Sequence, residues 1–164
     1  MIEFVESNGA TTLDEYASFA QLAPAVGDLR AEAATLVPKL AGRRVLMLNS
    51  TARGGGVAEM APRLISLLNE LGVETRWAVI GADEPRFFDL TKRLHNMIHG
   101  FGRSEISAED KAVYDKVTRQ NADALEPHLS PDDVLIVHDP QPAGVGALLK
   151  QRIGLPTIWR CHIG

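Results

Sequence analysis

Short apolar runs separated by helix-patterned stretches recur along this chain, and that alternation restricts it to very few architectures. Arg44-Val45-Leu46-Met47-Leu48-Asn49 is apolar without polar alternation, as expected for a strand covered on both faces. Val73–Ile80, Val134–His138 and Pro156–Cys161 read as three further strands. Between them, Val57–Leu71 has Met60, Leu64, Leu67, Leu68 and Leu71 on one face, with Gly72 closing the helix. A helix is expected over about Pro85–Met97. Ser107 with Asp110 three residues later starts another that runs to about Leu125, and Gly144–Gln151 makes a short one. Strand, glycine loop, helix and strand in succession form the βαβ unit, so the expected fold is a Rossmann-like, doubly wound α/β domain. Its sheet is mainly parallel, with helices on both faces.

Residues 1–42 stand apart from that alternation. Residues 1–12 read as a short strand or loose arm ending in a turn. Leu22, Val26, Leu29, Ala33, Leu36 and Leu40 give Leu13–Leu40 an amphipathic pattern, broken near Pro24 and Pro38. The expected division is an arm and helix over 1–42 and a Rossmann-like domain over 43–164.

A chain of 164 residues fits one such domain. A net charge of -4 with scattered basic residues argues against nucleic-acid binding, which needs phosphates neutralised by Lys and Arg. No run of about 18 apolar residues is present, so no membrane span is expected. The first 25 residues have no Lys or Arg, unlike a secretory leader, and Cys161 is the sole cysteine. Both features point to the cytoplasm.

Three segments carry possible chemistry. Gly54-Gly55-Gly56 lies between a buried strand and a helix start, where glycine lets the backbone approach a ligand and unpaired N–H groups favour phosphate. The same glycines could equally serve only as a tight turn. Neither the dinucleotide fingerprint nor the phosphate-binding loop with Gly-Lys-Ser/Thr is present, which disfavours a small dehydrogenase. His138-Asp139-Pro140-Gln141-Pro142 follows a strand, and Asp139 either accepts hydrogen bonds from sugar hydroxyls or caps the next helix. Trp159-Arg160-Cys161-His162 ends the last strand, at the edge where ligands bind in open α/β sheets. His95 and His99 are four apart, but no third ligand is evident, so no metal site is expected.

Asn49-Ser50-Thr51, the run Gly54–Met60, Leu94-His95-Asn96, His138–Pro142 and Trp159–Ile163 occur in this order. Together they resemble the amino-terminal domain of the trehalose glycosyltransferring synthases, with retaining trehalose phosphorylases as near relatives. The resemblance runs from about Tyr16 to Ile163. It implies the amino-terminal half of a glycosyltransferase-B fold, in which two Rossmann-like domains face a cleft. It also implies a retaining transfer of glucose from a nucleotide-glucose co-substrate to glucose, giving trehalose, with no tightly bound cofactor. By resemblance His162 and Asp139 are the catalytic positions. Gly54, Gly55, Gly56 and Arg53 would serve the donor phosphates and sugar. Asp139, His138, His95 and Asn96 would serve the acceptor. The family continues into a carboxyl-terminal donor domain and has an acidic residue where Gly164 stands, so this chain alone is expected to be inactive. A derived sugar-binding or assembly module, dimeric through an exposed edge near 156–161, is the alternative, as is a phosphorylase fragment.

Overall fold

The computed structural model describes residues 2–7 and 11–162. Part of the turn expected in 1–12, Ile163 at the end of the resembling segment, and Gly164 lie outside the described residues. Among the described residues five strands form one sheet: β1 (Glu3–Val5), β2 (Val45–Asn49), β3 (Thr75–Val79), β4 (Val134–His138) and β5 (Thr157–Arg160). Their order is β1-β3-β2-β4-β5. β2, β3, β4 and β5 run parallel, and β1 joins β3 antiparallel. The six α-helices among the described residues are α1 (Leu13–Ala17), α2 (Ala23–Leu36), α3 (Gly56–Glu70), α4 (Pro85–Ile98), α5 (Ala108–Leu125) and α6 (Ala143–Ile153).

Helices cover both faces, as a doubly wound sheet requires. On one, Leu46, Leu48, Ala78, Leu135 and Val137 pack against Phe87 of α4, Val117, Ala122 and Leu125 of α5, and Val145 and Leu149 of α6. On the other, Met47, Trp77 and Val79 pack against Ala61 and Ile65 of α3. The deepest residues of α3 are therefore Ala58, Ala61 and Ile65, while its leucine stripe is only half-buried. Small side chains bring the helix close to the sheet, and the leucines fill the flanks.

Glycine does the equivalent work beneath β4. A Cβ on Gly146 would stand 2.6 Å from Val137 Cγ2, so α6 lies closer to β4 than any larger residue permits. α5 opens with the reciprocal Ser107–Asp110 capping box that the sequence predicts. The Ser107 backbone N–H, ahead of the opposing effect of burial and joined by Ser107, Arg86 and Arg93, holds Asp110 down to about 2.

α2 departs from its amphipathic pattern. Val26 is buried, but Leu22, Leu29 and Leu36 are 37%, 40% and 46% exposed. The helix meets α1 and the outer side of α3 near Leu67, and Arg30 bonds Asp14 and Glu70. It forms a second layer outside α3, where one helix face has little left to bury against.

The order of connections fixes where a ligand can lie. From β2 the chain crosses to β3 on one side, then returns past β2 to β4 on the other. This reversal opens a crevice between the carboxyl ends of β2 and β4, the usual ligand position in an open α/β sheet.

Candidate functional site

A cleft of about 360 Å³ occupies that crevice. Asn49, Ser50, Thr51, Gly54, Gly55, Gly56, Val57 and Ala58 line it from the β2 side, and His138, Asp139, Gln141 and His162 from the β4 and β5 side, with His95 of α4. A groove of about 480 Å³ between α4 and α5 is lined by Leu90, Leu94, Ile106 and Tyr114, with Ser107, Lys111 and Asp115, and lies away from the strand ends.

The β2 side is built from backbone. Buried Asn49 accepts from Trp77 Nε1 at 2.6 Å and donates to the Thr51 carbonyl at 2.7 Å, anchoring the start of the loop. Thr51 Oγ1 accepts from Arg53 N at 3.1 Å and donates to Arg53 O at 2.7 Å, tightening the next turn. Gly54 and Gly55 then adopt φ of 73° and 88°, conformations that L side chains rarely reach. A Cβ on Gly54, Gly55 or Gly56 would meet nothing within 4 Å. Backbone shape requires glycine at Gly54 and Gly55, and all three positions leave open space above the loop. α3 begins there with no side-chain cap, so its first-turn N–H groups face the cleft with the positive end of the helix.

Side chains build the β4 side. Asp139 has a φ of 64°, a left-handed conformation that Asp tolerates better than most residues. Its N–H donates to Arg160 O at 2.9 Å, and its own carbonyl accepts from Trp159 Nε1 at 2.9 Å. Its Oδ1 accepts from the His162 N–H at 2.7 Å. The carboxylate therefore does not cap α6, whose N-cap is Pro142, but ties the end of β5 to the end of β4. Among the described residues Asp139 Oδ2 takes no hydrogen bond within the chain.

His138 completes this clamp. Its ring is 2% exposed, and its Nδ1 lies 2.9 Å from His162 Nε2. The two rings are stacked, with centroids 5.2 Å apart. His138 Nε2 is buried without a partner, as is Gln141 Oε1. Burial chiefly, then the charges of His162 and Arg160, with Asp139 opposing, pulls His138 down to about 4, so it is neutral at physiological pH.

The structure thus gathers Gly54, Gly55, Gly56, His95, His138, Asp139 and His162 around one cleft. Arg53 and Asn96 stand outside its lining. Arg53 is exposed and shapes the loop through its backbone. Asn96 is exposed, and its carbonyl accepts from Phe101 N. Asn49, Ser50, Thr51 and Gln141 line the cleft although sequence reasoning gave them no role. Their signal is position, immediately after β2 or β4.

The family described as trehalose synthase, N-terminal domain, matches residues 47–164. This chain belongs to that family. It is 42% identical to a trehalose synthase of Rubrobacter xylanophilus over 140 residues, 83% of this chain and 32% of that protein. It is 42% identical to a trehalose synthase of Pyrococcus horikoshii over 126 residues, 76% of this chain and 29% of that one. A trehalose phosphorylase of Pleurotus pulmonarius is 33% identical over 128 residues, 73% and 17% of the two chains. The chain thus spans about a third of the trehalose synthases it matches. Its place among trehalose synthases and phosphorylases is that of a glycosyl-transferring enzyme family. No helix among the described residues is long and apolar enough to cross a membrane.

Proposed function

We propose that this chain forms the acceptor-side half of a retaining glycosyltransferase of the glycosyltransferase-B type, which makes trehalose from a nucleotide-glucose and glucose in the cytoplasm. The observation that carries this reading is the meeting of Gly54–Gly56, Asp139 and His162 in one cleft at the point where the sheet reverses. The open α3 amino terminus suits a diphosphate leaving group, whose negative charge grows as the glucosyl group departs. Asp139 Oδ2 suits an acceptor hydroxyl, with His138 and His95 beside it, and His162 suits the transferred glucose near the reacting carbon. Holding the acceptor hydroxyl against the anomeric carbon replaces a bimolecular encounter with a positioned one. Arg53 and Asn96 serve the donor and acceptor less directly, from the rim. The nucleotide-glucose is a co-substrate, and a carboxyl-terminal domain supplies its nucleotide pocket, so the chain alone does not transfer glucose.

The test is an NMR titration of the labelled chain with glucose, trehalose and then a nucleotide-glucose. Shifts clustered on Gly54–Gly56, Asp139 and His162 at millimolar ligand are the expected result. A folded chain with no shift in that cluster would sink the reading, and trehalose made by the chain alone would overturn its inactivity.

A further inference from the structure

His162 is held at two points by adjacent residues at the carboxyl end of β4, His138 and Asp139. Asp139 Oδ1 fixes its backbone N–H, and the buried His138 ring meets its Nε2. The ring contact spans 24 positions in the chain. It exists because β4 and β5 pair with His138 opposite Arg160, and because the His162 N–H, two residues on, bonds Asp139 Oδ1. His138 itself is buried, being 2% exposed. A buried imidazole that bonds one nitrogen of a neighbouring ring determines which nitrogen of that neighbour carries the proton.

The direction of the bond follows from the other end of the His138 ring. A hydrogen bond between His138 Nδ1 and His162 Nε2 needs one of the facing nitrogens to donate and the other to accept. If His138 were protonated on Nε2, a buried N–H would have no acceptor, since that atom has no partner. Orphaned buried donors are rarer than under-satisfied acceptors. The proton therefore belongs on His138 Nδ1, donating to His162 Nε2, and the His162 proton belongs on its own Nδ1.

From this geometry we infer that His138 is a positioning residue that locks His162 as the Nδ1–H tautomer, so that His162 meets a ligand oxygen as a hydrogen-bond donor and not as a base. The inference deepens the proposed sugar site and rests on it for the identity of the ligand oxygen. The tautomer lock itself does not depend on any ligand. A donor at this position suits a sugar hydroxyl or an oxygen gaining negative charge. It leaves proton removal from the acceptor to another group.

Long-range proton–nitrogen NMR of the imidazoles tests it directly in the unliganded chain at neutral pH. The expected result is Nδ1–H for both His138 and His162 in the parent. His138→Asn, whose amide nitrogen takes the place of Nδ1, is expected to preserve the His162 state. His138→Leu is expected to release it to a mixture in which Nε2–H gains. A His162 already Nε2–H in the parent, or one still locked as Nδ1–H in a folded His138→Leu, would overturn the inference. Should the leucine variant not fold, His162→Ala makes the same test from the other ring. The His138 Nδ1 proton is then expected to lose its hydrogen-bonded shift and exchange rapidly with water, and an unchanged resonance refutes the contact. Glucose titration of the same samples separates this inference from the functional reading. A tenfold or greater loss of affinity in His138→Leu, restored in His138→Asn, supports both. No glucose shift in the parent defeats the sugar site alone, and the tautomer result still decides the role of His138.

Discussion

The two sides of the cleft solve the same problem by opposite means. At the end of β2 the surface is made by removing side chains: three glycines, two with positive φ, expose backbone N–H groups at the start of α3. At the end of β4 it is made by side chains bonded to one another, with Asp139 and His138 both engaged by His162. Behind β2 lies α3 with its own small-residue seam, and behind β4 lies Gly146, pressed against Val137. A glycine loop can shift locally without disturbing the core. A clamp of buried and bonded side chains transmits any change into the sheet. Damage on the β2 side should therefore alter ligand binding more than stability, and damage on the β4 side should alter both.

The largest expected effect is on acid stability. His138 resists its proton down to about 4 in the folded chain, whereas an unfolded histidine takes one near 6.5. Between those values the unfolded chain binds more protons, so stability falls as pH falls from about 6.5 to about 4. The loss is on the order of 3 kcal/mol. Denaturant melts across this window should show the slope in the parent and a flattened one in His138→Asn. Asp110, held at about 2, loses its stabilisation only below its unfolded value of 3.8, which keeps the two effects apart. An equal slope in both proteins would remove His138 as its cause.

Next comes Gly146→Ala. The added methyl would collide with Val137 Cγ2, so β4 and α6 must separate. Overpacking of this kind costs about 2 kcal/mol, and the helix preference for Ala returns under about 1. A thermal melt of this variant indistinguishable from the parent would show that the β4 side has more slack than its packing implies. A smaller effect is expected at Asp139. Asp139→Ala removes the acceptor for the His162 N–H and places Ala in a left-handed conformation, together costing about 1–2 kcal/mol. Asp139→Asn keeps an oxygen and tolerates that φ, so it should stay within about 0.5 kcal/mol. If the two variants melt alike, the clamp contributes nothing through Asp139.

Much of this contrast is legible in the sequence, but unevenly. The βα alternation, the Ser107 capping box and the glycine loop are local patterns, so spacing and residue type suffice to find them. The clamp is not local. Nothing in the residues from His138 to Pro142 indicates that Asp139 bonds the backbone 23 positions on instead of capping α6. That depends on the register of β4 with β5. Helix periodicity likewise locates an apolar face on α2 but not what covers it, which is why Leu22, Leu29 and Leu36 remain partly exposed. In α3 the leucines dominate the pattern while the alanines take the contact, because closeness to the sheet selects small residues over large ones. Arg53 and Asn96 adjoin cleft-lining residues in sequence, yet their side chains lie beyond its lining.

The smallest stability effect sharpens the comparison most. Gly56 opens α3, and an added Cβ there would meet nothing within 4 Å. Gly56→Ala should therefore change stability by no more than about 0.5 kcal/mol, in contrast to the same substitution at Gly146. Gly55 differs from its neighbour, because its φ of 88° and ψ of 154° form a conformation essentially confined to glycine. Gly55→Ala must either hold about 1–3 kcal/mol of strain or let the loop move. Open surroundings favour movement, so its melting should stay near that of the parent while the amide shifts of residues 53–58 change together. Gly56→Ala should leave those shifts largely in place. If Gly55→Ala instead loses as much stability as Gly146→Ala with the loop shifts unchanged, the glycine side is as rigid as the clamp. Backbone and side-chain construction would then differ in chemistry only, and not in how far a disturbance travels.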